Sequence, residues 1–307
     1  MNQLRRLVQS LSIQIIVDIF IYIALSVPVL VYIGGVKPRA RGFFCDDQSL
    51  QYPYTPDSIS TGTLILAGLT ASLFLVIISE GSKWLETREQ GTPVKTFLCY
   101  VVKGYICLMF GAMINECVVK GIKQLTGRLR PNFFDICKPD FASINCSQGY
   151  IADYVCTSQT VSPTLLIKSQ TSFPSGHASF SMYVAVFCVF YLHERFTFSY
   201  SRFLRPLLQS GCVLVALLCS VTRINDNMHH VSDVVFGSST GLIIASFMFI
   251  TVAKPMLVKH HKNTSQQSGN VMTDPVTPMP LLSQESPWTC REVKSDYNDI
   301  PNGKLPI

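Results

Sequence analysis

Six stretches of the chain are largely apolar over about 20 residues each, the length at which a helix crosses a hydrocarbon core of about 30 Å. They are Ile13–Ile33, Ser58–Ser79, Thr96–Val119, Thr171–Leu192, Pro206–Thr222 and Val234–Ala253. Backbone in lipid must satisfy its own N–H and C=O groups, so only helices and closed barrels span. Strict polar–apolar alternation is absent, which excludes a barrel. Asp18 interrupts the first stretch near its start, and His177 is the one ionisable group of the fourth. Lys103 and Glu116 lie toward the ends of the third, where they are expected to snorkel to the headgroups. Charged residues make up 14% of the 307, against roughly 25% in a soluble domain. That is too little charge to cover such runs in water. The net charge of +6 is mild and unclustered, so a nucleic-acid partner is excluded. The first stretch is too long for a signal-peptide core and is read as a retained helix.

Six spans put both termini on one side. Lys and Arg in the flanking segments divide eleven against ten between the two sides, so positive charge does not choose the orientation. Two other signals do. Asn145-Cys146-Ser147 is a glycosylation sequon in the long segment of residues 120–170. Cys45, Cys137, Cys146 and Cys156 fall in the same pair of loops, where an oxidising exterior lets disulfides persist. The expected arrangement has cytosolic termini, odd-numbered loops outside, and Asn145 glycosylated. From Lys254 to Ile307 the composition turns to Ser, Thr, Pro, Asn and Gln with no apolar period. Residues 1–253 are therefore expected to form the membrane domain and 254–307 a disordered cytosolic tail.

Three polar motifs sit at the outer ends of spans: Lys123 with Arg130-Pro131, Pro174-Ser175-Gly176-His177, and Arg223 with His229 and Asp233. Helix counting alone gathers three cations, two histidines and a carboxylate on one membrane face. Lys123, Arg130 and Arg223 suit a dianionic oxyanion, since guanidinium forks bind phosphate in bidentate fashion and lysine adds a point charge. Ser175 can cap the fourth helix, and Gly176 lets a ligand approach the positive end of its dipole. His229 and Asp233, four residues apart, share a face if the last helix starts early. The carboxylate would then fix one imidazole nitrogen and leave the other as nucleophile or base. His177 is placed to act as an acid toward a leaving oxygen. The combination reads as phosphoryl transfer. Each piece has a blander reading: Lys123, among Lys120, Arg128 and Arg130, as an interfacial anchor, Ser175 as ordinary capping, Arg223 and His229 as loop residues, Asp233 as an N-cap of the sixth helix. Two adjacent histidines beside Asp233 also admit a metal site, but three cations aimed at the same place would repel a divalent ion.

The motifs Lys123-x6-Arg130-Pro131, Pro174-Ser175-Gly176-His177 and Arg223-x5-His229-x3-Asp233 resemble the three signatures of the type 2 phosphatidic acid phosphatase superfamily. The six-span layout resembles its animal lipid phosphate phosphatases. One departure is Thr222, where the family usually has serine; both carry a hydroxyl. The resemblance implies an all-α polytopic membrane protein with a haloperoxidase-like helical core. It implies that His229 attacks phosphorus to form a phosphohistidine, with Asp233 orienting it. His177 would protonate the leaving lipid oxygen and then activate water. Lys123, Arg130, Ser175, Gly176 and Arg223 would hold the phosphoryl oxygens, with no metal or other cofactor required. Implied substrates are phosphatidate, lysophosphatidate, sphingosine 1-phosphate and ceramide 1-phosphate. The plasma membrane with an extracellular site is the expected location, an internal membrane with a lumenal site the alternative; homo-oligomerisation is left open. Competing readings are a catalytically silent scaffold, a transporter, whose charges should lie at mid-membrane, and a metal hydrolase.

Overall fold

A computed structural model describes residues 16–27, 31, 38–198 and 200–258. The chain is helical almost throughout. Helix α1 covers Ile16–Val27, short of a full crossing; most of the rest of the first expected span and residues 259–307 of the expected tail lie outside the described residues. Among the described residues, five other helices are long and apolar enough to cross a membrane. These are α2 (Thr61–Thr87), α3 (Val94–Thr126), α6 (Gly176–Arg195), α7 (Leu204–Asn225) and α8 (Val231–Met248), which runs on through a π-helical stretch, Phe249–Ala253, into α9 (Lys254–Val258). Short helices α4 (Phe133–Cys137) and α5 (Pro163–Ser169) lie between α3 and α6. With 33 residues, α3 is roughly 50 Å long at 1.5 Å per residue, longer than a hydrocarbon core of about 30 Å.

Of the boundaries that differ from the hydropathy reading, two bear on the motif residues. The fourth span begins at Gly176 rather than Thr171, because Ser175 is the N-cap and its side chain accepts from the Ala178 amide. Residues 171–174 form the approach to the helix instead. The last span begins earlier than Val234: its first turn includes Asp233, whose carboxylate accepts from the His230 amide at 3.0 Å.

Helix α6 is central, packing against α2, α3, α7 and α8. Its closest approach is to α8, where a Cβ placed at Gly237 would collide with the Ser175 carbonyl and one at Gly241 with the Ser179 carbonyl. Small residues four apart let two backbones meet, as membrane helices without a hydrophobic drive to associate require. This contact sets the start of α8 directly against the start of α6. Deeper in the bundle, Ser179 donates to Asn115 on α3 at 2.8 Å, and Tyr183 to the Leu108 carbonyl at 2.8 Å. Lys103 departs from expectation: instead of snorkelling it is 3% exposed, held within 5.4 Å of the Tyr100 ring centroid, where an aromatic face takes the place of water around the ammonium.

The segments expected as outer loops fold into a small crown over the bundle. Strand β1 (Phe43–Phe44) pairs antiparallel with β2 (Tyr150–Ile151). Phe43, Leu50, Leu129, Phe133 and Ile151 make its core, with Phe43 edge-on to Phe134. Disulfides Cys45–Cys146 and Cys137–Cys156 close it, so the four cysteines singled out in sequence pair with one another.

Candidate active site

The site is assembled at the crown end, from the last turn of α3, the first turns of α6 and α8, and the α7–α8 turn. Lys123 is buried and donates to the carbonyls of Thr171 (2.8 Å) and Ser172 (3.4 Å). Beyond it Gly127, at φ 54°, ends α3. The chain then runs alongside the approach to α6: the Ser172 amide donates to the Arg128 carbonyl, and the Arg130 amide to the Ser169 carbonyl, both at 2.8 Å. The Ser175 amide donates to the Asp233 carbonyl at 3.0 Å, which joins the second motif to the third through the backbone.

The α7–α8 turn is tight because the amides of Met228 and His229 both donate to the Arg223 carbonyl. His229 is thereby folded back into the interior, 4% exposed. Its Nδ1 lies 3.8 Å from Asp233 Oδ2, beyond hydrogen-bond length, and has no hydrogen-bond partner. Burial, reinforced by the Arg130 guanidinium and the Lys123 ammonium, holds its pKa well below the ordinary imidazole value, against the pull of Asp233. The ring is neutral at pH 7 and its lone pair is available. His177 Nε2 lies 3.0 Å from the Ile59 carbonyl. A carbonyl oxygen only accepts, so Nε2 carries the proton and Nδ1 is the titratable position of the neutral ring.

Arg223 is 1% exposed and heavily engaged. Nη1 donates to Asp57 and Nη2 to Asp226, each at 2.8 Å, while Nε and Nη2 donate to Thr222 Oγ1 at 3.2 and 3.1 Å. Of five guanidinium N–H groups, one on Nη1 is left to face a ligand. Ser58 is tied to Asp226 at 2.5 and 2.9 Å, so residues 57–59 fasten onto both Arg223 and His177.

All eight motif residues, Lys123, Arg130, Ser175, Gly176, His177, Arg223, His229 and Asp233, occupy this end of the bundle. The structure adds four that sequence reasoning did not assign: Asp57, Arg128, Ser172 and Asp226. Arg128 had a signal, lying two residues before Arg130; Asp57, far away in sequence, had none. Among the described residues, no group of three or more His, Cys, Asp or Glu is placed to hold a metal ion. What remains is a buried cluster of cationic side chains around the neutral His229 ring, an arrangement suited to an anion that reacts at its centre.

The sequence profile of the PAP2 superfamily matches residues 104–256. Over 234 residues the chain is 35% identical to phospholipid phosphatase 2 of Rattus norvegicus, covering 75% of this chain and 83% of the relative. It is 34% identical to phospholipid phosphatase 2 of Homo sapiens over 235 residues, 76% of this chain and 80% of the relative. Phospholipid phosphatase 1 of Rattus norvegicus is 31% identical over 242 residues, 78% of this chain and 84% of the relative. No solved structure matches.

Proposed function

This chain belongs to the PAP2 superfamily and is a multi-pass membrane phosphatase, and from that premise we propose that it removes phosphate from lipid phosphomonoesters through a phosphohistidine at His229. The supporting observation is the buried, neutral His229 ring between Arg130, Lys123 and Asp233. In this reading Nε2 of His229 attacks phosphorus while Nδ1–H closes from 3.8 Å onto Asp233. As the N–P bond forms, the bond from phosphorus to the lipid oxygen breaks, and that oxygen takes its proton from Nδ1 of His177, which enters the step as the imidazolium, protonated on both nitrogens. The neutral His177, held through Nε2 by Ile59, then takes a proton from water. The water oxygen attacks phosphorus, the N–P bond breaks, and inorganic phosphate leaves. Lys123, Arg130, the remaining N–H of Arg223, and the Ser175–Gly176 start of α6 receive the phosphoryl oxygens, in the region where negative charge develops.

The cationic lining supplies the charge stabilisation a divalent ion would otherwise bring, so the reaction is proposed to run without metal. Phosphatidate, lysophosphatidate, sphingosine 1-phosphate and ceramide 1-phosphate are the proposed substrates. The proposed orientation places the crown, with its disulfides and the exposed Asn145, outside the cell or in a lumen, and Asn145 carries glycan. The test is phosphate release from lysophosphatidate by purified protein in detergent with excess chelator. Activity that disappears and returns with zinc or magnesium overturns metal independence. Absence of release under any metal condition favours a silent, lipid-binding scaffold. In cells, Asn145→Gln is expected to abolish a glycosidase-sensitive mobility shift, and its persistence overturns the orientation.

A further inference from the structure

Asp233 is fully buried, and both of its oxygens are occupied. Oδ2 accepts from the Ser172 hydroxyl at 2.5 Å and the His230 amide at 3.0 Å, with His229 Nδ1 next to it at 3.8 Å. Oδ1 accepts from Arg128 Nη1 at 2.6 Å. The same Nη1 donates to Ser232 Oγ at 2.8 Å, which commits both of its hydrogens. A buried carboxylate needs a matched cation to remain charged without a penalty of several kcal/mol. The other nearby ammonium, Lys123, directs its hydrogen bonds to backbone carbonyls.

We infer that Arg128 is a positioning residue for the reaction: its guanidinium pins one oxygen of Asp233, so that the other faces Nδ1 of His229. This rests on the proposed role of Asp233 toward His229. Arg128 reaches that place because Gly127 turns the chain out of α3 and the Arg128 carbonyl is held by the Ser172 amide. It is distinct in job from Arg130, two residues on. The side chain of Arg128 is 33% exposed at the rim of the site and spends Nη1 on the carboxylate and Ser232. Its contribution is therefore expected in turnover rather than in phosphate affinity.

The experiment measures kcat and KM for lysophosphatidate in mixed micelles, together with thermal midpoints. Arg128→Ala is expected to lower kcat by about 10- to 100-fold, the scale of a misplaced catalytic group, with KM changed by less than about threefold. Arg128→Lys, which keeps the charge but not the fork, should recover part of the loss. Ethylguanidinium in the buffer should restore turnover to Arg128→Ala, because the site is open at the rim. In an Asp233→Asn background, Arg128→Ala should cost nothing further, and ethylguanidinium should have no effect. A rise in KM at unchanged kcat would make Arg128 a phosphate ligand and overturn the inference. So would additive losses in the double variant, or a Lys variant no better than Ala. If Arg128→Ala does not fold, the Lys variant and its cycle with Asp233→Asn carry the same test. Wild-type turnover in Asp233→Asn sinks the underlying reading, whereas an impaired Asp233→Asn beside a fully active Arg128→Ala sinks this inference alone.

Discussion

Helix α6 has a buried charged cluster at each end, and the two are built on opposite plans. At the end away from the crown, Glu80 on α2 accepts from Arg195 through Nε and Nη2 at 2.7 and 2.5 Å and from the Tyr191 hydroxyl at 2.7 Å. The guanidinium also lies 4.4 Å from the Tyr100 ring centroid. There the carboxylate and the guanidinium close on each other in a two-pronged ion pair, with the Lys103 ammonium on the same Tyr100 ring. At the crown end, Lys123 is neutralised by carbonyl dipoles rather than by a carboxylate, and His229 keeps an unpartnered buried nitrogen. A satisfied cluster holds helices together. One that leaves a buried imidazole nitrogen without a partner is made to receive something.

Substitutions at the two ends should accordingly separate chemistry from stability. The largest effect is expected at His229. Replacing it with alanine should remove turnover by roughly four powers of ten or more, in line with loss of a nucleophile, and leave no trapped phosphoenzyme. Label surviving in that variant would break the assignment. Next is His177→Ala, with a loss of roughly two to four powers of ten on a lipid substrate, the range of general acid catalysis. An aryl phosphate, whose leaving group needs no proton, should still phosphorylate His229 and accumulate an acid-labile, base-stable intermediate. Equal losses on both substrates with nothing trapped would show that the two histidines are wrongly distinguished.

The opposite end should behave in reverse. Glu80→Gln leaves Arg195 buried without its counter-charge and is expected to destabilise by about 3–5 kcal/mol. This is measured as a lower thermal midpoint in detergent, while kcat per folded molecule stays at the wild-type value. Loss of kcat without loss of stability would erase the contrast. The smallest effect is in pH dependence. Since His229 has a lowered pKa, protonation of the nucleophile sets in only below the usual imidazole range, and the acid limb of kcat/KM should lie below about pH 6.5. Arg130 is the largest charge lowering that pKa, so Arg130→Gln should raise it and move the limb toward higher pH, whatever the absolute rate.

The bundle was legible in sequence because burial in lipid imposes one long apolar signal per helix. The motif residues were legible because they stand at the ends of those signals. Hydropathy cannot see capping, which is why α6 starts at Gly176, behind its Ser175 cap, rather than at Thr171. Nor can it register Gly237 and Gly241, whose value lies in what they lack. The crown escaped for a different reason: Phe43 meets Ile151 and Cys45 meets Cys146 across a separation of about a hundred residues, and four cysteines admit three pairings. Lys103 was misplaced because charge near a span end was assumed to seek water, when Tyr100 offered an aromatic face. Arg128 carries no role in sequence, since only its distance to Asp233 tells it apart from its basic neighbours.

The cluster lies where α3 ends and α6 and α8 begin, at the ends of apolar helices. An enzyme working there samples substrate by lateral diffusion within one leaflet. The quantity that saturates it is then mole fraction among neighbouring lipids, not moles per litre. Diluting a lipid phosphate with inert phospholipid or detergent at constant total amount should therefore slow the enzyme, as though substrate had been withdrawn. Two membranes holding the same number of phosphate-bearing lipids would be read as rich or poor according to how crowded the remainder of the sheet is.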